Sequence, residues 1–438
     1  MRSTDRPNRC GHLLVAVLAI EALGCGGPST VGRDPATDRQ PRDAVTTTGP
    51  VTTTTTAAPP AWSTDMESVV AATNAFACDL YALRRASTGN VFFSPFSIHT
   101  ALAMTAVGAR GTTRDQLLTT LHLPDAEAAP RSGDLGRIVA ATDGDVLALA
   151  NALWGQSGSG WVPSFEETLT SRFAAGVEQV DFVGGPEPAR ERINGWVAAR
   201  TQGRIGELLG PGAVTPLTRL VLTNAVAFKA SWTAQFDAAR TQPAPFHLED
   251  GGTVDAPLMQ RRDPSALHAA IDDFQLLVLP YVGDAHEMMI MLPREESAGL
   301  PTVEARLTAE AVSEWRAVTE PTEVDIWLPR FRMEDGFLVN EALQTLGAVD
   351  LFDLAKADLS GISSADRLVV SAVIHKAFVE VDEEGTKAVA ATAVVGNLPG
   401  PPPPRPVEFR ADRPFVFLIR DVRTGTILFL GRLTDPTR

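Results

Sequence analysis

Between residues 381 and 406 the chain sets a strand-forming sequence directly against one that cannot join a sheet. "VDEEGTKAVAATAVV", residues 381–395, opens like the end of a charged strand, turns at Gly385 and runs on through Ala and Val with β-branched Thr between them. "GNLPGPPPPRP", residues 396–406, follows at once. Proline donates no hydrogen bond and fixes φ, which excludes this second piece from a sheet interior. Any fold for this chain has to accommodate a good strand tied to an exposed leash.

The 438 residues are 44% hydrophobic and 21% charged, enough apolar material for a large core. A net charge of -15 argues against nucleic acid as a partner, because a phosphate backbone calls for a basic surface. Lysine is confined to Lys229, Lys356, Lys376 and Lys387, and the arginines form no obvious patch. The cysteines are Cys10, Cys25 and Cys78, which give no disulfide framework.

Arg2, Arg6 and Arg9 precede the apolar run "LLVAVLAI" and then "ALGC", ending at Cys25. That order resembles a bacterial lipoprotein signal over residues 1–25, in which Cys25 is lipidated and becomes the mature N-terminus. Glu21 and Ala22 depart from the pattern, and a plain secretory signal is the alternative. Either places the protein outside the cell or in the cell envelope. No other run approaches the roughly 20 apolar residues that span a bilayer. Residues 26–62, with "VTTTGPVTTTTTAAPP", hold too little apolar content to offset the entropy of ordering and read as a disordered tether. Residues 63–438 are uniformly globular in composition and read as one domain.

Apolar residues at three- and four-residue spacing predict a helix over 65–86, with Asp65 at its start and Arg84 and Arg85 at its end, as the helix dipole favours. Residues 94–109 begin with Ser94 as N-cap and Pro95 in the first turn. Further helices are expected over 188–205 and 339–349. Strands are expected over 219–228, 275–282, 286–293, 323–333, 368–382, 413–421 and 426–433, the last two forming a hairpin around "VRTG". Helices early and strands late predict an α+β fold.

No constellation for catalysis is visible. The chain lacks a GxSxG elbow, an HExxH pair, a P-loop and a CxxC motif. Its seven histidines do not cluster at metal-ligand spacing, and Cys78 lies on an apolar helical face. Neither enzyme activity nor a metal or other cofactor is expected.

Four long stretches, in order, resemble the serpins: "NVFFSPFSIHTALAMTAVGARGTTRDQL" (90–117), "LVLTNAVAFKASWTAQF" (220–236), "VDEEGTKAVAATAVV" and "EFRADRPFVFLIRDVRTGTILFLGRL" (408–433). The resemblance implies three β-sheets surrounded by about nine helices, with an exposed reactive-centre loop over about 383–406. In that family the loop is a strand that enters the central sheet once a protease cuts it. The function implied is inhibition of serine-type, or of papain-like cysteine, endopeptidases by suicide-substrate trapping in a covalent acyl-enzyme complex. The alternative is a non-inhibitory member serving as a binding or carrier module.

Carried over residue by residue, Glu383, Glu384, Gly385 and Thr386 match the hinge, with Ala388, Ala390 and Ala391 following it. Gly385 supplies the backbone freedom to swing. As a strand, Thr386, Ala388, Ala390, Thr392 and Val394 share one side and are small, and no proline occurs before Pro399. Ten or more new hydrogen bonds at about 1 kcal/mol net, with apolar burial, supply about 10–20 kcal/mol on insertion. The uncut chain is then a kinetic trap.

Ser94, Ser97, Asn224 and His375 match the family's shutter under the central sheet, while Trp232, Glu383 and Phe415 match the breach where the loop enters. Counting from Glu383 places the scissile bond at Asn397, Leu398 or Pro399; Val395 suits an elastase-like enzyme but leaves a short loop. The run 401–404 is a stiff polyproline spacer. "TRDQLLTTLHLPDAEAAPR" lacks a basic cluster, so no heparin-like cofactor is expected. The expected partner is an extracellular serine protease, met by a monomer whose one membrane contact is the lipid on Cys25.

Overall fold

The computed structural model describes residues 60–141, 146–294, 299–365, 367–384 and 405–438. Cys25 and its leader, the tether up to residue 59, the hinge residues Gly385, Thr386, Ala388, Ala390 and Ala391, and the candidate cleavage positions Asn397, Leu398 and Pro399 lie outside the described residues.

Among the described residues there are nine α-helices: α1 (Thr64–Arg84), α2 (Pro95–Gly108), α3 (Gly111–Thr120), α4 (Ala128–Ala140), α5 (Pro163–Thr168), α6 (Pro186–Arg200), α7 (Leu300–Glu304), α8 (Ala309–Ala317) and α9 (Asn340–Thr345). The strands are β1 (Val91–Phe93), β2 (Leu147–Gln156), β3 (Val177–Val180), β4 (Leu220–Phe228), β5 (Gln242–His247), β6 (Thr253–Ile271), β7 (Phe274–Pro280), β8 (His286–Pro293), β9 (Glu320–Pro329), β10 (Phe331–Leu338), β11 (Val370–Val381), β12 (Val407–Arg410), β13 (Phe415–Asp421) and β14 (Ile427–Leu433).

Local signals set several boundaries. In α1, Asp65 and Glu67 occupy the first turn and Arg84 the last. The Ser94 side chain accepts from the Ser97 N–H at the start of α2, with Pro95 inside the first turn. Every residue of α2 except Val107 is buried, making it the central helix of the molecule. The helix expected over 188–205 ends at Arg200, where Gln202 and Gly203 turn the chain through positive φ. The helix expected over 339–349 is cut to Asn340–Thr345 by Gly347 at φ 117°.

Five strands form one sheet in the order β10-β11-β4-β2-β3. The other nine form a second sheet, β1-β14-β13-β8-β7-β6-β9-β12, with β5 paired to β6. The single strand expected over 323–333 is two: β9 ends at Pro329, the chain crosses at Arg330, and β10 starts in the other sheet. Two of the three expected sheets are joined by hydrogen bonds because β6 runs unbroken for 19 residues, meeting β5 at one end, β9 along most of its length and β7 at the other. Its register with β9 shifts between Asp263 and Ala266, where Pro264 sits at the irregularity.

The five-stranded sheet is packed on both faces. Toward α2, the side chains of Leu147, Leu153, Leu222, Val226 and Val373 join the main core. Toward α6, Ala148, Ala150, Ala152, Ala225 and Ala227 join a second cluster with Ile193 and Val197. Alanine on that face lets the helix lie close to the sheet.

Candidate functional site: the seam between β4 and β11

In the middle of the five-stranded sheet, β11 and β4 pair parallel, from Val370 opposite Leu220 to Val379 opposite Phe228. Both outer neighbours, β10 on β11 and β2 on β4, are antiparallel. At the upper end β11 outruns β4: β10 continues to pair it as far as Val381 opposite Phe331, beyond the last β4 contact. The chain leaves β11 there and runs into the hinge. A strand folding back from that point lies antiparallel to both β11 and β4. It would exchange one parallel ladder for two antiparallel ones, which pair slightly better per residue.

A polar belt crosses beneath this seam at one level. Register places Phe337, His375, Asn224 and Asn151 opposite one another across β10, β11, β4 and β2. The Ser94 backbone N–H donates to His375 Nε2 at 3.0 Å, and the Ser94 hydroxyl donates to the Leu428 carbonyl at 2.7 Å. With Nε2 accepting, the ring proton sits on Nδ1 and is donated to Asn224 Oδ1. Asn224 Nδ2 in turn donates to Ser97 Oγ at 2.6 Å and to Asn151 Oδ1 at 2.7 Å, and the Ser97 hydroxyl donates to Asn151 Oδ1 at 2.7 Å. Ser94, Ser97, Asn224 and His375 are all buried. Burial first, and the nearby Arg84 guanidinium second, push the His375 pKa down to about 3. The imidazole is therefore neutral and held in one tautomer.

Four of these residues were expected to act together, and the structure brings them within hydrogen-bond reach. Asn151 completes the belt and was missed. Its signal is a single polar residue inside the otherwise apolar "LALANALWG", facing Asn224 only once register is known.

At the top of the seam the Trp232 indole N–H donates to the Asp382 carbonyl at 3.0 Å. The indole ring stacks on Tyr281 at 4.4 Å between centroids and is buried. The Glu383 carboxylate is 3.7 Å from Arg330, at the crossing between β9 and β10, and its side chain is only 11% exposed. Asp382 caps the Glu384 N–H at 2.9 Å, and its carboxyl pKa is raised by burial, with Glu380 and Glu384 adding repulsion. Phe415 lies fully buried beside this region, edge-on to Phe331 at 6.3 Å, so it supports the entrance without lining it. Arg330, which no local pattern marks, is the anchor that sequence reasoning missed.

Other reactive groups are locked away. Burial pushes the Cys78 thiol up to about 12, with Asp79 and Glu310 adding to it. His99, in the centre of α2, is pushed down to about 4 by burial, and its Nε2 meets the Leu121 carbonyl at 3.1 Å. Among the described residues, no group of three or more His, Cys, Asp or Glu side chains could hold a metal ion.

The model of the family described as "Serpin (serine protease inhibitor)" matches residues 71–436. The chain is 41% identical over 382 residues to leukocyte elastase inhibitor A of Rattus norvegicus, covering 85% of this chain and all of that protein. It is 39% identical over 388 residues to leukocyte elastase inhibitor of Homo sapiens, with the same coverage. Among solved structures, it is similar to maspin (TM-score 0.77, 27% identity, 85% of this chain and 100% of that one). It is likewise similar to uncleaved ovalbumin (TM-score 0.75, 29% identity, 84% and 100%). A fold, a seam and a shutter of this kind, together with a match over nearly the whole globular part, have one reading: the chain belongs to the serpin family of serine protease inhibitors.

Proposed function

We propose that this serine protease inhibitor traps an elastase- or chymotrypsin-like enzyme outside the cell by inserting its cut loop into the β4–β11 seam. The observation that carries the reading is the parallel β4–β11 pair with the hinge leaving directly from its top. The protease's serine oxygen bonds to the scissile carbonyl carbon, the peptide C–N bond breaks, and the leaving amine takes the proton. The new N-terminal side of the loop stays esterified to the enzyme. Its insertion carries the enzyme along the sheet before water can cleave the ester.

Support for the target class comes from relatives named for leukocyte elastase and from Val395 and Leu398 in the loop sequence. Support for export comes from the order of Arg2, Arg6 and Arg9, the apolar run and Cys25, which we read as a lipid anchor. Mass spectrometry of the mature N-terminus tests it: a diacylglyceryl-cysteine at position 25 is expected, and an unprocessed Met1 overturns it.

The trap is tested by mixing the protein with elastase, chymotrypsin and subtilisin. A complex resistant to denaturing gel electrophoresis is expected with at least one of them, and sequencing the released fragment fixes the cut. Thr386→Arg puts a charge on the inserting face and turns the inhibitor into a substrate. Full inhibition by that variant refutes insertion.

A further inference from the structure

The face of the five-stranded sheet opposite α2 carries a cleft of about 630 Å³, within the size range of small-molecule sites. One wall is Leu208, Leu209 and Ala213, from the segment between α6 and β4. The other is Leu338 on β10 with Ala372 and Ile374 on β11. Leu338 is 56% exposed at the rim, a large apolar side chain left facing the opening.

The two walls belong to different bodies. Asn194 of α6 holds the first: its Oδ1 accepts from the Leu208 and Leu209 N–H groups at 3.0 and 2.8 Å, and its Nδ2 donates to the Leu209 carbonyl at 2.9 Å. The second wall is tied together by the β10–β11 ladder, with Leu338 opposite Ile374. The cleft thus lies over β10 and β11, and its first wall reaches it from α6, whose Ile193 and Val197 pack on the alanines of β2 and β4 across the seam.

One polar group reaches across it. The Lys376 ammonium, on β11, donates to the Glu207 carbonyl at 2.8 Å and pairs with Glu334 at 2.7 Å. Its stem lies flat on Gly336, where a Cβ would come within 3.2 Å of Lys376 Cγ. An ammonium has three donors, so one N–H is left for a ligand acceptor. The Glu334 carboxylate beside it disfavours a second anion.

We propose that this cleft binds an uncharged, mainly apolar molecule with a single carbonyl acceptor, its body between Leu209 and Ile374 and its oxygen on Lys376. Such a ligand contacts both bodies only while the sheet is closed, so it holds the seam shut and slows loop insertion. The clamp rests on the insertion reading above; the site itself does not.

The probe is 6-propionyl-2-(dimethylamino)naphthalene, a neutral aryl ketone whose emission shifts to the blue in apolar surroundings. Binding is read on the intact chain without protease, for the wild type and for the two rim variants Ala213→Trp and Leu338→Asp. Saturable one-to-one binding is expected, weakened at least tenfold in both variants and in loop-cleaved protein. At a probe concentration ten times its Kd, the rate of covalent complex formation at saturating protease falls about tenfold. Variant-sensitive binding without any protease complex refutes the trap and leaves the site standing. Equal binding by wild type and both variants, or binding that leaves the insertion rate unchanged, overturns the proposal.

Discussion

Replacing Asn224 by Leu removes the centre of the polar belt while keeping the branching at Cγ and the number of heavy side-chain atoms. In the native sheet His375 Nε2 accepts from the Ser94 N–H, which fixes the other ring proton on Nδ1 with Asn224 Oδ1 as its acceptor. The ring cannot switch tautomer without orphaning the Ser94 N–H instead. Asn224→Leu therefore leaves a fully buried N–H without a partner, a cost of about 1–3 kcal/mol. Ser97 and Asn151 keep their bond to each other, so their share of the loss is about 1 kcal/mol or less. A total of about 2–3 kcal/mol falls on the closed sheet. In the loop-inserted form β4 and β11 are apart, the His375–Asn224 bond is already broken, and the same substitution costs less. Urea unfolding of intact and loop-cleaved protein measures both. The intact variant is expected to lose about 2–3 kcal/mol and the cleaved one clearly less, while heat-driven insertion without protease speeds up by about 30- to 150-fold. Equal losses in the two forms, or an unchanged insertion rate, would show that the belt is ordinary core and not a fastening of the seam.

Buried histidines make stability depend on pH, His375 and His99 most strongly, with His268 also lowered by burial. His375 and His99 have native pKa values of about 3 and about 4 against 6.5 for an ordinary imidazole. Below pH 6.5 the unfolded chain takes up protons that the native one does not, so their contribution is complete above that pH and is lost progressively as pH falls toward 4 and 3. Those two groups cost about 3 kcal/mol between pH 6.5 and 5. The urea midpoint of His375→Gln is expected to fall clearly less steeply over that range than the wild type's; parallel slopes would exclude His375 as a source. At the entrance, Trp232→Phe keeps a ring against Tyr281 but loses the 3.0 Å bond to the Asp382 carbonyl. It should weaken the top of the seam by about 1 kcal/mol, read as a severalfold faster complex formation with saturating protease. No change in that rate would mean that the indole N–H does not restrain the hinge.

Local sequence carried much of this protein. The Ser94–Pro95 start of α2, the charge polarity of α1 and the apolar runs of β4, β8, β11, β13 and β14 follow from capping, dipole and side-chain period, which act over a few residues. What escaped is equally particular. β2 was unread because its alanines are poor strand formers; they are there to let α6 approach. β6 was unread because its prolines and charges look like loop, and only pairing with three other strands holds it extended.

The sequence by itself settled the family, the mixed architecture and an inserting segment of small residues without a sheet of its own. Only the tertiary structure decided where that segment has a place to go. The level that aligns Phe337, His375, Asn224 and Asn151, and the Arg330 anchor under Glu383, depend on strand registers between residues far apart in the chain. A register is chosen by the summed packing of both sheet faces, and a slip of one residue would turn every one of these side chains to the opposite face. No window of local sequence holds that sum.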